Sequence, residues 1–183
     1  MTLSDDLNAV AARAAELAGP GEALAGILAA EPASGARVYL CAFSSGEGRS
    51  WLALDEQGHP VDDRMLVRDA ASIAALCEFA AETAGGGRLE ELRAELLDLR
   101  MRENPPGVDE AEEAALALER TIGSPPRLAT PGLLDDIGVA TRRLELSLGG
   151  DAPSPFADAM KGAMAAVDAL LAEIDRGYKA QLR

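Results

Sequence analysis

The chain predicts a mainly α fold, a multi-helix domain with one small two- to three-stranded antiparallel β-meander (α+β). Three observations predict it. Apolar residues recur at helical spacing over most of the 183 residues. They shift to β-leaning runs only near residues 37–67. Clusters of Pro and Gly separate the helical stretches at 19–21, 85–87, 104–107, 124–131 and 149–150.

Thr2, with Asp5 three residues on, forms a capping box ahead of Leu7, Val10, Ala14 and Leu17, and Gly19-Pro20-Gly21 ends that first helix. A short second helix is expected from about Glu22 to Ala30, with Leu24, Ile27 and Leu28 on one face. The meander follows. Val38 to Phe43 is an apolar run, residues 44–50 a small polar loop, Trp51 to Leu54 a second run, and Glu56-Gln57-Gly58 a turn. Met65-Leu66-Val67 reads as a third strand.

Beyond it, Asp69 is expected to cap a helix that runs to about Ala84 and stops at Gly85-Gly86-Gly87. Leu89, Leu92, Leu96 and Leu99 then form an apolar stripe with charges outside it. Asn104-Pro105-Pro106-Gly107 breaks that helix, and Asp109 to Ile122 starts another with carboxylates in its first turns. Thr130-Pro131 and Ser154-Pro155 each supply N-cap and N1 chemistry. The first opens a helix carrying Leu133, Leu134, Ile137, Leu144 and Leu148, closed by Gly149-Gly150. The last helix holds Phe156, Met160, Met164, Val167, Leu171, Ile174, Tyr178 and Leu182 on one face. This makes about seven helices, with no strand after Gly85. Neither Pro-rich break exceeds an ordinary loop, so 1–183 reads as a single domain with its β-containing part at about 37–67 and a C-terminal helical part at about 88–183.

A net charge of −14 repels phosphate backbones and anionic headgroups, so neither nucleic acid nor a membrane is expected as partner. The N-terminus lacks the basic and apolar regions of a secretory signal, no apolar run approaches a membrane span, and two cysteines are too few for a disulfide framework. Cys41 and Cys77 are expected as buried, reduced thiols, and the location as cytoplasmic.

No motif reaches a catalytic spacing. Gly46-Glu47-Gly48 lacks the third glycine of a dinucleotide loop and joins two strands, and Ser50 lacks the second glycine of a nucleophile elbow. Cys41 sits in an apolar run, unlike an activated thiol paired with His59. Asp55, Glu56, His59, Asp62 and Asp63 match neither zinc nor EF-hand spacing, and no helix supplies the histidines of a di-iron bundle. No cofactor or metal is expected. Two readings of function follow. One is a non-enzymatic protein-interaction module, adaptor or chaperone-like, that forms a homodimer through helix faces. The other is a small-molecule-binding protein or enzyme using the 44–50 hairpin loop. For the second, Arg49, Trp51 and His59 are the candidate ligand-binding residues, since guanidinium, indole and imidazole groups orient ligands.

Overall fold

The computed structural model describes residues 2–150 and 154–179. Five helices and four strands follow one another as α1 (Leu3–Glu16), β1 (Ala23–Ala30), β2 (Val38–Ser45), β3 (Gly48–Leu54), α2 (Arg64–Arg102), α3 (Val108–Ile122), β4 (Leu128–Ala129), α4 (Pro131–Ser147) and α5 (Pro155–Gly177). They form two compact units, residues 1–75, 125–131 and 165–183 in one and 76–124 and 132–164 in the other. Both α2 and α5 therefore contribute residues to each unit. Leu182 lies outside the described residues.

The first unit is built on the sheet, in the order β3-β2-β1-β4. β2 is antiparallel to both β1 and β3, and β4 joins the far side of β1 in parallel. Pairing fixes two faces. Tyr39, Cys41 and Phe43 lie with Leu52, Leu54 and Ala29 on one, where Val10 and Ala14 of α1 cover them. Val38, Leu40, Trp51 and Ala53 are buried on the other. Burial on both faces explains why β2 reads as a continuous apolar run and not as an alternating one. The capping box of α1 is present, with the Asp5 amide donating to Thr2 Oγ1 at 3.2 Å and the Thr2 amide to Asp5 Oδ2 at 2.9 Å.

In the second unit Ala80, Leu89, Leu118, Ile122, Ile137 and Leu144 form a core against which Phe156 and Met160 pack. Leu96, Val108 and Ala111 form a smaller cluster with Leu92 and Leu99. The 89–99 stripe is thus consumed within the chain, between α2 and α3.

The mainly α, α+β expectation holds in outline, and the sheet departs from it. It has four strands and includes a parallel pair, not two or three antiparallel ones. Residues 23–30 form β1 where a helix was expected, because pairing with β2 outweighs the helix preference of its alanines and leucines. β4 supplies a strand after Gly85, by only two residues, between the Pro-rich break and α4. Met65-Leu66-Val67 opens α2 and is no strand. Asp63, not Asp69, caps that helix, its Oδ1 accepting from the amides of Met65 at 2.9 Å and Leu66 at 3.2 Å. α2 also continues through Gly85-Gly86-Gly87 to Arg102. At Gly85 a Cβ would stand 2.7 Å from Ile122 Cδ1, so packing against α3 uses the missing side chain and the glycine does not end the helix. This merger, with the expected helix at 22–30 replaced by β1, reduces seven expected helices to five among the described residues. Among the described residues no helix is long and apolar enough to cross a membrane.

Ile137 and Leu148 belonged to one expected stripe, yet Ile137 is wholly buried and Leu148 exposed. Ile137→Ala should therefore cost about 2–5 kcal/mol in urea denaturation. Leu148→Ala should stay within about 0.5 kcal/mol of the parent.

Candidate functional site

β3 places Arg49, Trp51 and Ala53 on the sheet face away from α1. There the two candidates converge on α5. The buried Trp51 donates its indole N–H to Glu173 Oε1 at 3.1 Å, the partner that a buried indole needs. Arg49 Nη1 lies 3.7 Å from the same oxygen, with its side chain 62% exposed. Such an exposed ion pair contributes little to stability.

His59 is not part of this group. It closes the turn after β3, where Asp55 donates its amide to the His59 carbonyl at 2.9 Å and Asp55 Oδ1 accepts the His59 amide at 2.8 Å. The imidazole is 74% exposed and its Nδ1 is 3.5 Å from Asp55 Oδ2. Five residues of strand separate Arg49 from the end of β3, roughly 17 Å at the usual rise. The structure thus brings Arg49 and Trp51 together and leaves His59 at the opposite end of the strand.

The end of α5 then closes the outer side of β3. Gly177 packs so tightly that a Cβ there would sit 2.7 Å from the Arg49 carbonyl oxygen. Tyr178 forms a parallel bridge with Trp51, and the Lys179 amide donates to the Trp51 carbonyl at 2.8 Å. The Tyr178 hydroxyl donates to the Val61 carbonyl, and Arg64 lies 4.6 Å above the Tyr178 ring. Burial pushes the Tyr178 phenol up from its ordinary value.

Lys179 reaches from this edge to the α1–β1 loop. Its ammonium pairs with Glu22 and sits 4.0 Å above the Phe43 ring. Glu22 also accepts from Ser50 Oγ at 2.6 Å and from the Gly19 amide at 2.6 Å. These donors, Lys179 first and then Ser50, hold the Glu22 carboxyl down to about 2. Ser50 is therefore a donor to a carboxylate whose low proton affinity makes it a poor general base. Burial pushes the Cys41 thiol up to about 12, the reverse of thiolate activation.

The expected 44–50 loop is shorter, since β2 runs to Ser45 and β3 starts at Gly48, and the Gly46-Glu47 turn that joins them borders a cleft. Residues 45–47 and 19–22 enclose about 310 Å³, and the charges on its lining are the carboxylates of Glu22 and Glu47. Arg49 does not line it. The acidic group after β3 has local structural work: Asp55 Oδ1 accepts from Gln57 and His59, Glu56 pairs with Arg37 at 3.5 Å, and Asp63 caps α2. No group of three or more His, Cys, Asp or Glu side chains placed to hold a metal occurs among the described residues.

A feature that the sequence reading passed over lies in the second unit. Val139 and Leu146 of α4 are 71% and 53% exposed. With Arg142, Arg143, Ser147 and the α3 start at Gly107 and Glu110 they border an open, largely apolar groove of about 670 Å³. Its signal was present in the sequence. Residues 139 and 146 are seven apart, like the buried pair 137 and 144, but offset by two positions, which places them about 200° around the helix. Comparison of the chain with protein-family models, curated proteins and solved structures finds no match.

The Glu22 network sets a dependence on pH. Its folded carboxyl is depressed from 4.5 to about 2, so its contribution to stability is complete above about 4.5 and is lost as pH falls toward 2. Lys179→Met should cost about 1–2 kcal/mol at pH 7, a figure reduced for partial solvent screening. In urea titrations at several pH values the gap between variant and parent should narrow below pH 4.5 and close near 2.

Proposed function

We propose that the chain is a non-enzymatic protein-interaction module of the adaptor or chaperone-like kind, cytoplasmic, which holds a partner polypeptide in the groove between α4 and the start of α3. One observation carries this reading. Val139 and Leu146 stand exposed along one side of α4 beside an open apolar groove, in a helix whose opposite side already supplies the core through Ile137 and Leu144. Exposed apolar surface gathered in one concavity is what a partner covers. Arg143 lies between the two apolar residues along the helix, a setting suited to a carboxylate on the partner. Cys41 and Cys77, buried and not joined in a disulfide, support a reducing compartment.

The arrangement of the rarer side chains points the same way. The Ser50 hydroxyl serves Glu22 and the Trp51 indole serves Glu173, while His59 holds its turn through its backbone and carries its exposed imidazole at the other end of β3, apart from both. One observation favours a second reading, a small-molecule site in the cleft beside the 44–50 loop. The Glu47 carboxylate on its lining suits a cationic ligand.

The two readings separate by experiment. A polypeptide captured by the full chain, identified and re-bound as a purified component, should lose at least tenfold in affinity with Val139→Glu plus Leu146→Glu, while thermal melting is unchanged. Binding that survives both substitutions would overturn the groove reading. So would failure to bind any polypeptide combined with a cationic ligand whose stabilising effect is lost in Glu47→Gln.

A further inference from the structure

β1 pairs with β2 along its length, but on its other side, among the described residues, only Ala29 and Ala30 are paired, with the two residues of β4. The Glu31 amide donates to the Ala129 carbonyl at 2.8 Å, so this side of β1 carries the peptide groups of alternate residues 31, 29 and 27. Beyond the bulge at Ala25 it carries those of Leu24. From Leu24 to Leu28 no strand lies alongside among the described residues. Ala25 and Gly26 are exposed, Leu24, Ile27 and Leu28 half-buried, and a Cβ on Gly26 would meet nothing within 4 Å. Apart from the bulge, this edge lacks the usual deterrents to pairing, having neither a charge nor a proline in residues 23–30.

We propose that a second copy of this chain occupies the edge. The two β1 strands pair antiparallel about a two-fold axis near Gly26, joining the sheets into one of eight strands, four from each copy. Spacing selects a like partner for this edge, because the bulge sets the outward groups of Leu24 and Ile27 three residues apart and a second β1 reproduces that spacing. Two chains of net charge −14 repel, and β1 is an uncharged stretch through which they can meet. The carboxylates at its ends are neutralised within each copy, Glu22 by Lys179 and Glu31 by Arg37 at 3.2 Å. The bulge is also self-matching. Leu24 and Ile27 have the same spacing in both copies, so Ile27 of one faces Leu24 of the other, and Gly26 leaves room at the axis. A ladder of about five residues a side is short, so the association is micromolar in strength.

Sedimentation equilibrium of the full chain from about 1 to 200 μM, a range bracketing that strength, should show the mass rising from 19.0 kDa toward twice that value. Ala25→Lys, which places like charges across the axis, and Ile27→Pro, which removes an outward amide, should both stay monomeric with unchanged far-UV circular dichroism. Oxidised Gly26→Cys should give a disulfide-linked dimer, and Glu95→Cys on exposed α2 surface should not. Should Ile27→Pro fail to fold, Ala25→Lys and Gly26→Cys decide. A wild-type chain monomeric throughout the range overturns the proposal. So does a dimer whose dissociation constant changes less than threefold in Ala25→Lys, or one that Gly26→Cys fails to cross-link.

Discussion

The sheet-bearing unit depends on how the far end of the chain closes the outer side of β3. β2 is buried on both faces, so the sheet needs cover on each, and β3 ends in a row of peptide groups that must also be satisfied. Residues 173–179 do both at once. Glu173 receives the Trp51 indole, Gly177 allows the close approach, and the Lys179 amide extends the ladder onto the Trp51 carbonyl. The Lys179 ammonium then fixes the α1–β1 loop through Glu22. One segment thereby joins α5, β3 and the loop before β1, across more than a hundred residues of sequence.

This closure also explains where the scarce side chains went. Trp51, Tyr178 and Lys179 gather around β3 because a sheet edge next to a helix end needs an amphipathic ring, a hydroxyl donor and a cation to finish it. They are not convergent on an empty pocket. Uncovered apolar surface lies elsewhere among the described residues, in a groove on α4 in one unit and along an unpaired length of β1 in the other. Both are uncovered apolar surface in an acidic chain, which is the physical basis for reading it as an interaction protein.

What was legible in the sequence was local chemistry. The Thr2–Asp5 box, Pro131 and Pro155 at helix starts, and the Val38–Phe43 and Trp51–Leu54 runs all sit where their residues indicate. What was not legible depended on tertiary partners. Ala23–Ala30 has helix-forming composition and becomes a strand only because β2 lies beside it. Gly85 reads as a stop but is a contact, since Ile122 fills its side-chain space. Of the candidate site, the proximity of Arg49 and Trp51 follows from strand alternation, whereas their shared partner Glu173 lies over a hundred residues away with no local signal. The exposed Val139 and Leu146 were visible as a second stripe, yet only packing shows which stripe of α4 the core takes.

The dependence of the sheet on its closing segment is tested most directly in a chain ended after Gly177, with unfolding in urea followed through the emission of Trp51, the sole tryptophan. Loss of the Tyr178 and Lys179 contacts should shift the native emission to the red and lower the urea midpoint. A truncated chain with the emission maximum and midpoint of the full one would contradict the account.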